Sequence, residues 1–194
     1  MSAQALTYPV ALEVSAPEPQ NRLSVFFRLF LIIPHAIILY FLGIAAEIVV
    51  FFAWFIIVFA GRFPAGLWRF VSGYLRWSTR VNAYALLLTG KYPPFALDDD
   101  AAYPVRLLIE ERVEGRNRLT TFFRILLAIP HWIVLYFLGL AAAVAAFLAW
   151  VAALVTGRVP HSLHDFIAGV MRWGARVNAY LYLLVDEYPP FSLQ

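Results

Sequence analysis

The chain has 194 residues, 62% hydrophobic and 14% charged, with a net charge of +3 and a mean hydropathy of +0.74. That balance falls outside the usual soluble range and points to the membrane class, with no nucleic-acid partner expected. The absence of cysteine excludes disulfides, thiolate metal sites and cysteine nucleophiles.

The N-terminal stretch MSAQALTYPVALEVSAPEPQ lacks the basic region, apolar stretch and cleavage site of a secretory signal. Membrane insertion is therefore expected to rely on internal segments. Sliding the sequence against itself at an offset of about 96 residues reveals a tandem repeat. Asn21-Arg22-Leu23 answers Asn117-Arg118-Leu119, Pro34-His35 answers Pro130-His131, and Tyr92-Pro93-Pro94-Phe95 answers Tyr188-Pro189-Pro190-Phe191. The layout predicts a first unit over 1–97, an acidic linker over 98–102 carrying Asp98-Asp99-Asp100, and a second unit over 103–194. Consecutive carboxylates seldom converge on one ion, so the linker reads as solvated rather than as a metal site.

Each unit opens on an alternating segment. Tyr8, Val10, Leu12 and Val14 in the first copy, and Tyr103, Val105, Leu107 and Ile109 in the second, have the period of a half-buried strand on the water side. The two strands can pair if both units face the same way.

The long apolar segment follows. Tyrosine apart, residues 29–60 and 125–156 contain only His35, Glu47 and His131 as ionisable groups, and each far exceeds the roughly 20 residues that span a bilayer core. One straight helix of about 32 residues would measure roughly 48 Å against a core of about 30 Å. The favoured expectation is a membrane hairpin of two helices, kinked at Pro34 or Pro130 and reversing near Leu42-Gly43 and Leu138-Gly139. The alternative is an interfacial helix up to the proline and then one long tilted span. Arginine placement favours the hairpin, which gathers Arg28, Arg62, Arg76 and Arg80 and their second-copy equivalents on one face, as the positive-inside tendency prefers.

A third segment, 65–88, carries Leu67, Phe70, Val71, Tyr74, Trp77, Val81 and Tyr84 at helical spacing, with Arg69, Arg76 and Arg80 largely opposite. This is an amphipathic helix, repeated over 161–184, that either lies at the headgroup boundary or packs against the hairpins. The Tyr-Pro-Pro-Phe tail ends it as a stiff extended segment.

Candidate site residues follow from recurrence. Arg28, Arg62, Arg76, Arg80, Arg124, Arg158, Arg172 and Arg176 set topology or grip anionic headgroups, since guanidinium forks match phosphate. Pro34-His35 and Pro130-His131 form a helix kink at which the imidazole serves the backbone or the interface; a proton relay or metal ligand is the sharper reading, opposed by the lack of a recurrent carboxylate partner. Glu47 stands alone in its apolar segment, so a pathway role would not be shared by both copies. No nucleophile–base signature occurs, so neither enzyme activity nor a cofactor is expected.

The strings PHxxxLYFLG, AWF or AWV running to GR, and RW(S/G)xRVNAY…YPPF occur in both halves. With these motifs the chain resembles a bacterial membrane family called domain of unknown function 4389, over about Asn21 to Phe95 and Asn117 to Phe191. The resemblance implies a bacterial integral membrane protein and carries no reaction and no catalytic residue. The expected protein is mainly α and multi-pass in the inner membrane, with loops and termini mainly cytoplasmic. Its expected role is a scaffold or accessory subunit contacting lipid headgroups, a membrane-protein partner or a second copy. The alternative role is a small transporter or channel component, with His35, His131 and Glu47 near a pathway.

Overall fold

The computed structural model describes residues 8–194; residues 1–7, part of the segment read as lacking a secretory signal, lie outside that range. Each copy contributes a strand, a long helix and a shorter one, and the first adds a five-residue helix before its long one. The order is β1 (Val10–Val14), α1 (Arg22–Phe26), α2 (Arg28–Ala60), α3 (Ala65–Ala85), β2 (Val105–Ile109), α4 (Arg118–Thr156) and α5 (His161–Leu181).

Local chemistry sets the helix ends. The Asn21 side chain accepts from the N–H groups of Leu23 and Ser24, and Asn117 does the same for Leu119 and Thr120, satisfying donors that the first turn leaves free. Gly61 (φ 69°) and Gly157 (φ 76°) close α2 and α4 in the left-handed region that glycine enters without a Cβ penalty. Pro64 and Pro160 then lead into α3 and α5. The shorter helices end on leucines with positive φ, Leu87 and Leu183. Leu88 N–H reaches back to the Ala83 carbonyl and Leu184 N–H to that of Ala179, the six-to-one bond of a Schellman end.

The expected hairpin is not present. Helix α2 runs unbroken through Leu42-Gly43 and α4 through Leu138-Gly139; the chain reverses only at 61–64 and 157–160. The reason lies in the buried stripe. Arg28, His35, Gly43, Ala46, Ala53 and Ile57 recur at helical spacing on one side of α2, so the same face stays covered on both sides of Gly43. Gly43 instead leaves room for a neighbouring helix, since a Cβ there would stand 2.9 Å from the Tyr74 hydroxyl.

The elements stack in layers. Strands β1 and β2 pair antiparallel, with Leu12 opposite Leu107 at the centre, as the alternating segments allowed. This sheet packs on α3 and α5, which in turn pack on α2 and α4. Arg76 Nε donates to the Leu107 carbonyl and Arg172 Nε to that of Leu12, so the centre of the sheet sits over the middle of both shorter helices.

An approximate two-fold relates the copies and sets α2 antiparallel to α4. At one end Gln20 N–H donates to Gly157 O (2.9 Å) and Trp150 Nε1 to Val25 O (3.1 Å); at the other, Arg116 N–H donates to Gly61 O (3.0 Å) and Trp54 Nε1 to Thr121 O (3.1 Å). The far side of both long helices is uncovered. Phe30, Ile37, Phe41, Ile44, Ile48, Phe52, Phe55 and Phe59 on α2 are exposed, and α4 presents a matching series from Ile125 to Val155.

Candidate functional site

Two pairs of equivalent polar joints lie between the long and short helices. The first is built on an arginine. Arg28, 2% exposed, donates through Nη1 to the carbonyls of Tyr84 (2.6 Å) and Thr89 (3.2 Å) and through Nη2 to Gln20 Oε1 (2.7 Å), with its guanidinium 4.3 Å from the Tyr84 ring centroid. Arg124 repeats this with Tyr180 O (2.6 Å), Val185 O (2.9 Å) and the Tyr180 ring at 4.4 Å, its Nη2 donating to Asp186 Oδ1 (2.8 Å). Carbonyls at a helix C-terminus lack intrahelical donors and carry partial negative charge, so a cation stabilises them there.

The two joints differ in one instructive way. Gln20 and Gly90 of the first copy correspond to Arg116 and Asp186 of the second. Gln20 donates to Leu87 O, and Arg116 to Leu183 O, Leu184 O and Asp186. An added cation is matched by an added carboxylate, so each buried cluster keeps one net positive charge. Burial lowers the Arg116 pKa, and Asp186 works against that shift.

The second joint is built on the histidine. His35 is fully buried; its Nδ1 accepts from Trp77 Nε1 at 3.1 Å, and its ring stacks on Phe95 with centroids 3.8 Å apart. His131 matches it with Trp173 at 3.0 Å and Phe191 at 4.1 Å. An Nδ1 that accepts places the proton of the neutral ring on Nε2, and Nε2 is buried without a partner in both copies. Of the roles expected for the imidazole, service to the backbone is not what its ring nitrogens do; both rings sit among aromatic side chains. Tyrosine reaches the backbone here instead: Tyr92 Oη donates to Leu31 O (3.0 Å) and Tyr188 Oη to Leu127 O (3.1 Å), each one residue past the carbonyl that the proline deprives of its N–H. The Tyr-Pro-Pro-Phe tail thus folds back to close the joint.

The remaining arginines divide sharply. Arg80 donates to the carbonyls of Asp98 and Ala96, and Arg176 to those of Gln194 and Ser192; burial lowers both pKa values. Arg76 and Arg172 hold the strands. Six of the eight recurrent arginines are therefore committed to backbone carbonyls, and Arg28 and Arg124 are too deep to reach a headgroup. Arg62 and Arg158 alone are exposed. The linker is tied rather than free: Asp99 pairs with Arg106 at 2.6 Å, and its carboxyl is held below the usual range chiefly by that hydrogen bond.

Glu47 is exposed on α2, about 18 Å along the helix from His35 at about 1.5 Å per residue. His35 and His131 occupy separate aromatic boxes, so the three groups expected near a pathway are not brought together. His164 is buried with a ring nitrogen 3.3 Å from Leu88 O, a joint between the copies. Sequence reasoning missed Gln20, Arg116 and Asp186. The signal was the coupled change of two aligned positions that leaves net charge unaltered.

These features define a mainly helical tandem-repeat protein with two helices long and apolar enough to cross a membrane. The chain belongs to the family described as a domain of unknown function, DUF4389, which matches residues 22–96 and again 118–192. No curated protein and no solved structure matches it.

Proposed function

We propose that this protein is a non-enzymatic scaffold or accessory subunit of the bacterial inner membrane, embedded through α2 and α4 and offering its polar layer to a partner on the cytoplasmic side. The observation that carries this reading is the long apolar face of the two long helices, where Leu29 is 77%, Phe41 66% and Phe59 75% exposed and Glu47 is the one exposed carboxylate. Contiguous apolar surface of that extent marks an interaction site, and its aliphatic and phenylalanine content suits acyl chains. Anionic headgroups are contacted by the exposed Arg62 and Arg158.

The internal commitments support a rigid platform rather than a reaction centre. Buried arginines bind carbonyls, the histidines are locked by tryptophan and phenylalanine, and these groups are occupied in structure. A membrane-protein partner or a second copy would dock on the polar layer of α3, α5 and the sheet.

Flotation tests the reading. Purified protein is expected to float with vesicles of phosphatidylethanolamine and phosphatidylglycerol, and less with vesicles lacking the anionic lipid. Combined Arg62→Gln and Arg158→Gln should narrow that difference. Failure to float with either vesicle would overturn the proposal.

A further inference from the structure

Resting on the membrane reading just given, the question is how the long helices sit in the bilayer. At about 1.5 Å per residue, the 33 residues of α2 extend roughly 50 Å. Fitting that length across a core of about 30 Å needs a tilt above about 50°, beyond the usual range of about 0–40°. The uncovered face offers no shorter alternative, since exposed apolar residues continue from Leu29 to Phe59.

The position of the sheet decides against crossing. Gly43, at the middle of α2, lies against Tyr74 of α3, and two residues further along α3 Arg76 holds the centre of β2. The sheet therefore stands opposite the midpoint of the long helices. It carries Arg106 with Glu13 and Asp99 as partners, and Asp98 and Asp100 adjoin it. If α2 and α4 crossed the bilayer, this charged group would stand beside them at mid-depth, where ionised side chains are strongly disfavoured.

Charge at the helix ends points the same way. Arg22 lies against Gly157 and so joins Arg158 at one end of the pair; Arg118 lies against Gly61 and joins Arg62 at the other. Among the described residues none of these four has a carboxylate within ion-pair distance. A crossing would send one arginine pair to the far side, against the positive-inside tendency. An in-plane arrangement puts both pairs at the same anionic headgroup level.

Two equivalent apolar grooves lie beside the long helices, each with a buried arginine, Arg28 or Arg124, in its wall. One, of about 340 Å³, lies between Leu29, Leu87, Phe147 and Trp150; the other, of about 350 Å³, between Ile125, Leu183, Phe51 and Trp54. The mainly apolar lining of both suits acyl chains.

We propose that α2 and α4 lie side by side within one leaflet, parallel to the membrane plane, with α3, α5 and the sheet facing water, and that neither helix crosses the bilayer. The two-fold relating the copies then runs along the membrane normal. The exposed apolar face engages acyl chains, and the arginine pairs engage headgroup phosphates.

Because the chain has no cysteine, single Phe30→Cys, Ile44→Cys and Phe59→Cys variants can carry a nitroxide on the uncovered face of α2. Depth is read by electron paramagnetic resonance, from oxygen against nickel-chelate accessibility, in phosphatidylethanolamine–phosphatidylglycerol liposomes. Glu110→Cys, on the polar layer, serves as the water-side reference. Leu29→Cys, Phe41→Cys and Phe52→Cys replace any variant whose circular dichroism departs from the parent. The expected result is one common shallow depth for all three labels, about 5–10 Å below the headgroup boundary. A label at Ile44 near the bilayer centre, with Phe30 and Phe59 at the surfaces, would overturn the in-plane arrangement and leave the membrane reading intact. Three labels with the nickel accessibility of the Glu110 reference would overturn both.

Discussion

Trp77 donates its indole N–H to Nδ1 of His35 at 3.1 Å, across 42 residues of chain, and Trp173 and His131 repeat the bond at 3.0 Å. The pair anchors α3 to α2 at a depth where water does not compete, so each partner depends on the other for satisfaction. Trp77→Phe keeps the aromatic volume and removes the donor, leaving a buried acceptor bare. The expected cost is about 1–3 kcal/mol, seen as a lowered thermal unfolding midpoint in detergent. Adding His35→Leu removes the orphaned acceptor and should recover much of that loss. An unchanged midpoint in Trp77→Phe would refute the role given to the bond.

The second-copy charge cluster makes a sharper test. Asp186 contacts both Arg116 and Arg124, whose side chains are 0% and 2% exposed. Asp186→Asn strands two buried guanidiniums without a counterion, and about 3–5 kcal/mol of stability should be lost. The double change Arg116→Gln with Asp186→Gly recreates the Gln20–Gly90 arrangement of the first copy. It is expected to unfold later than Asp186→Asn under the same denaturant titration.

Glycine substitutions report on helix continuity. At Gly139, in unbroken α4, an added Cβ meets nothing within 4 Å, so Gly139→Ala should stabilise by up to about 1 kcal/mol through helix propensity. A turn at this position would be harmed instead. Gly73→Ala should destabilise clearly, because its Cβ would stand 2.9 Å from Leu97 Cβ and 3.1 Å from the Leu97 carbonyl oxygen. Calorimetry of the two variants separates these opposite signs.

The linker supplies a pH dependence. Arg106 holds the Asp99 carboxyl below its ordinary range, so folding depresses that pKa. The stabilisation is present above the unfolded value of about 3.9 and is lost as pH falls through the lower folded value. Protection factors for amides in 98–102, from hydrogen exchange, should hold between pH 8 and about 5 and fall below about pH 4. In Arg106→Gln protection should already be reduced at pH 7 and show a weaker acid transition.

Much of the layout was legible in the residues. The offset of Asn21, Pro34-His35 and Tyr92 to their second copies established the repeat. Alternation in Val10, Leu12 and Val14 marked a strand, and Asn21 and Gly61 marked helix ends whose capping is local. Gly43 misled because glycine in an apolar run reads as a turn. The room that Gly43 leaves is taken up by the hydroxyl of Tyr74, a residue on another helix.

By itself the sequence determined the repeat, the apolar length of α2 and α4 and the alternation of the strands, because periodicity and capping act over a few residues. Only the tertiary structure decided what each cation faces. A guanidinium serves phosphate and carbonyl oxygen alike, and whether Arg28 meets a headgroup or the Tyr84 carbonyl, 56 residues away, depends on which helix end is delivered to it. The depth of the long helices is decided the same way: hydropathy measures how much apolar surface there is, and packing decides which face keeps it and what stands opposite.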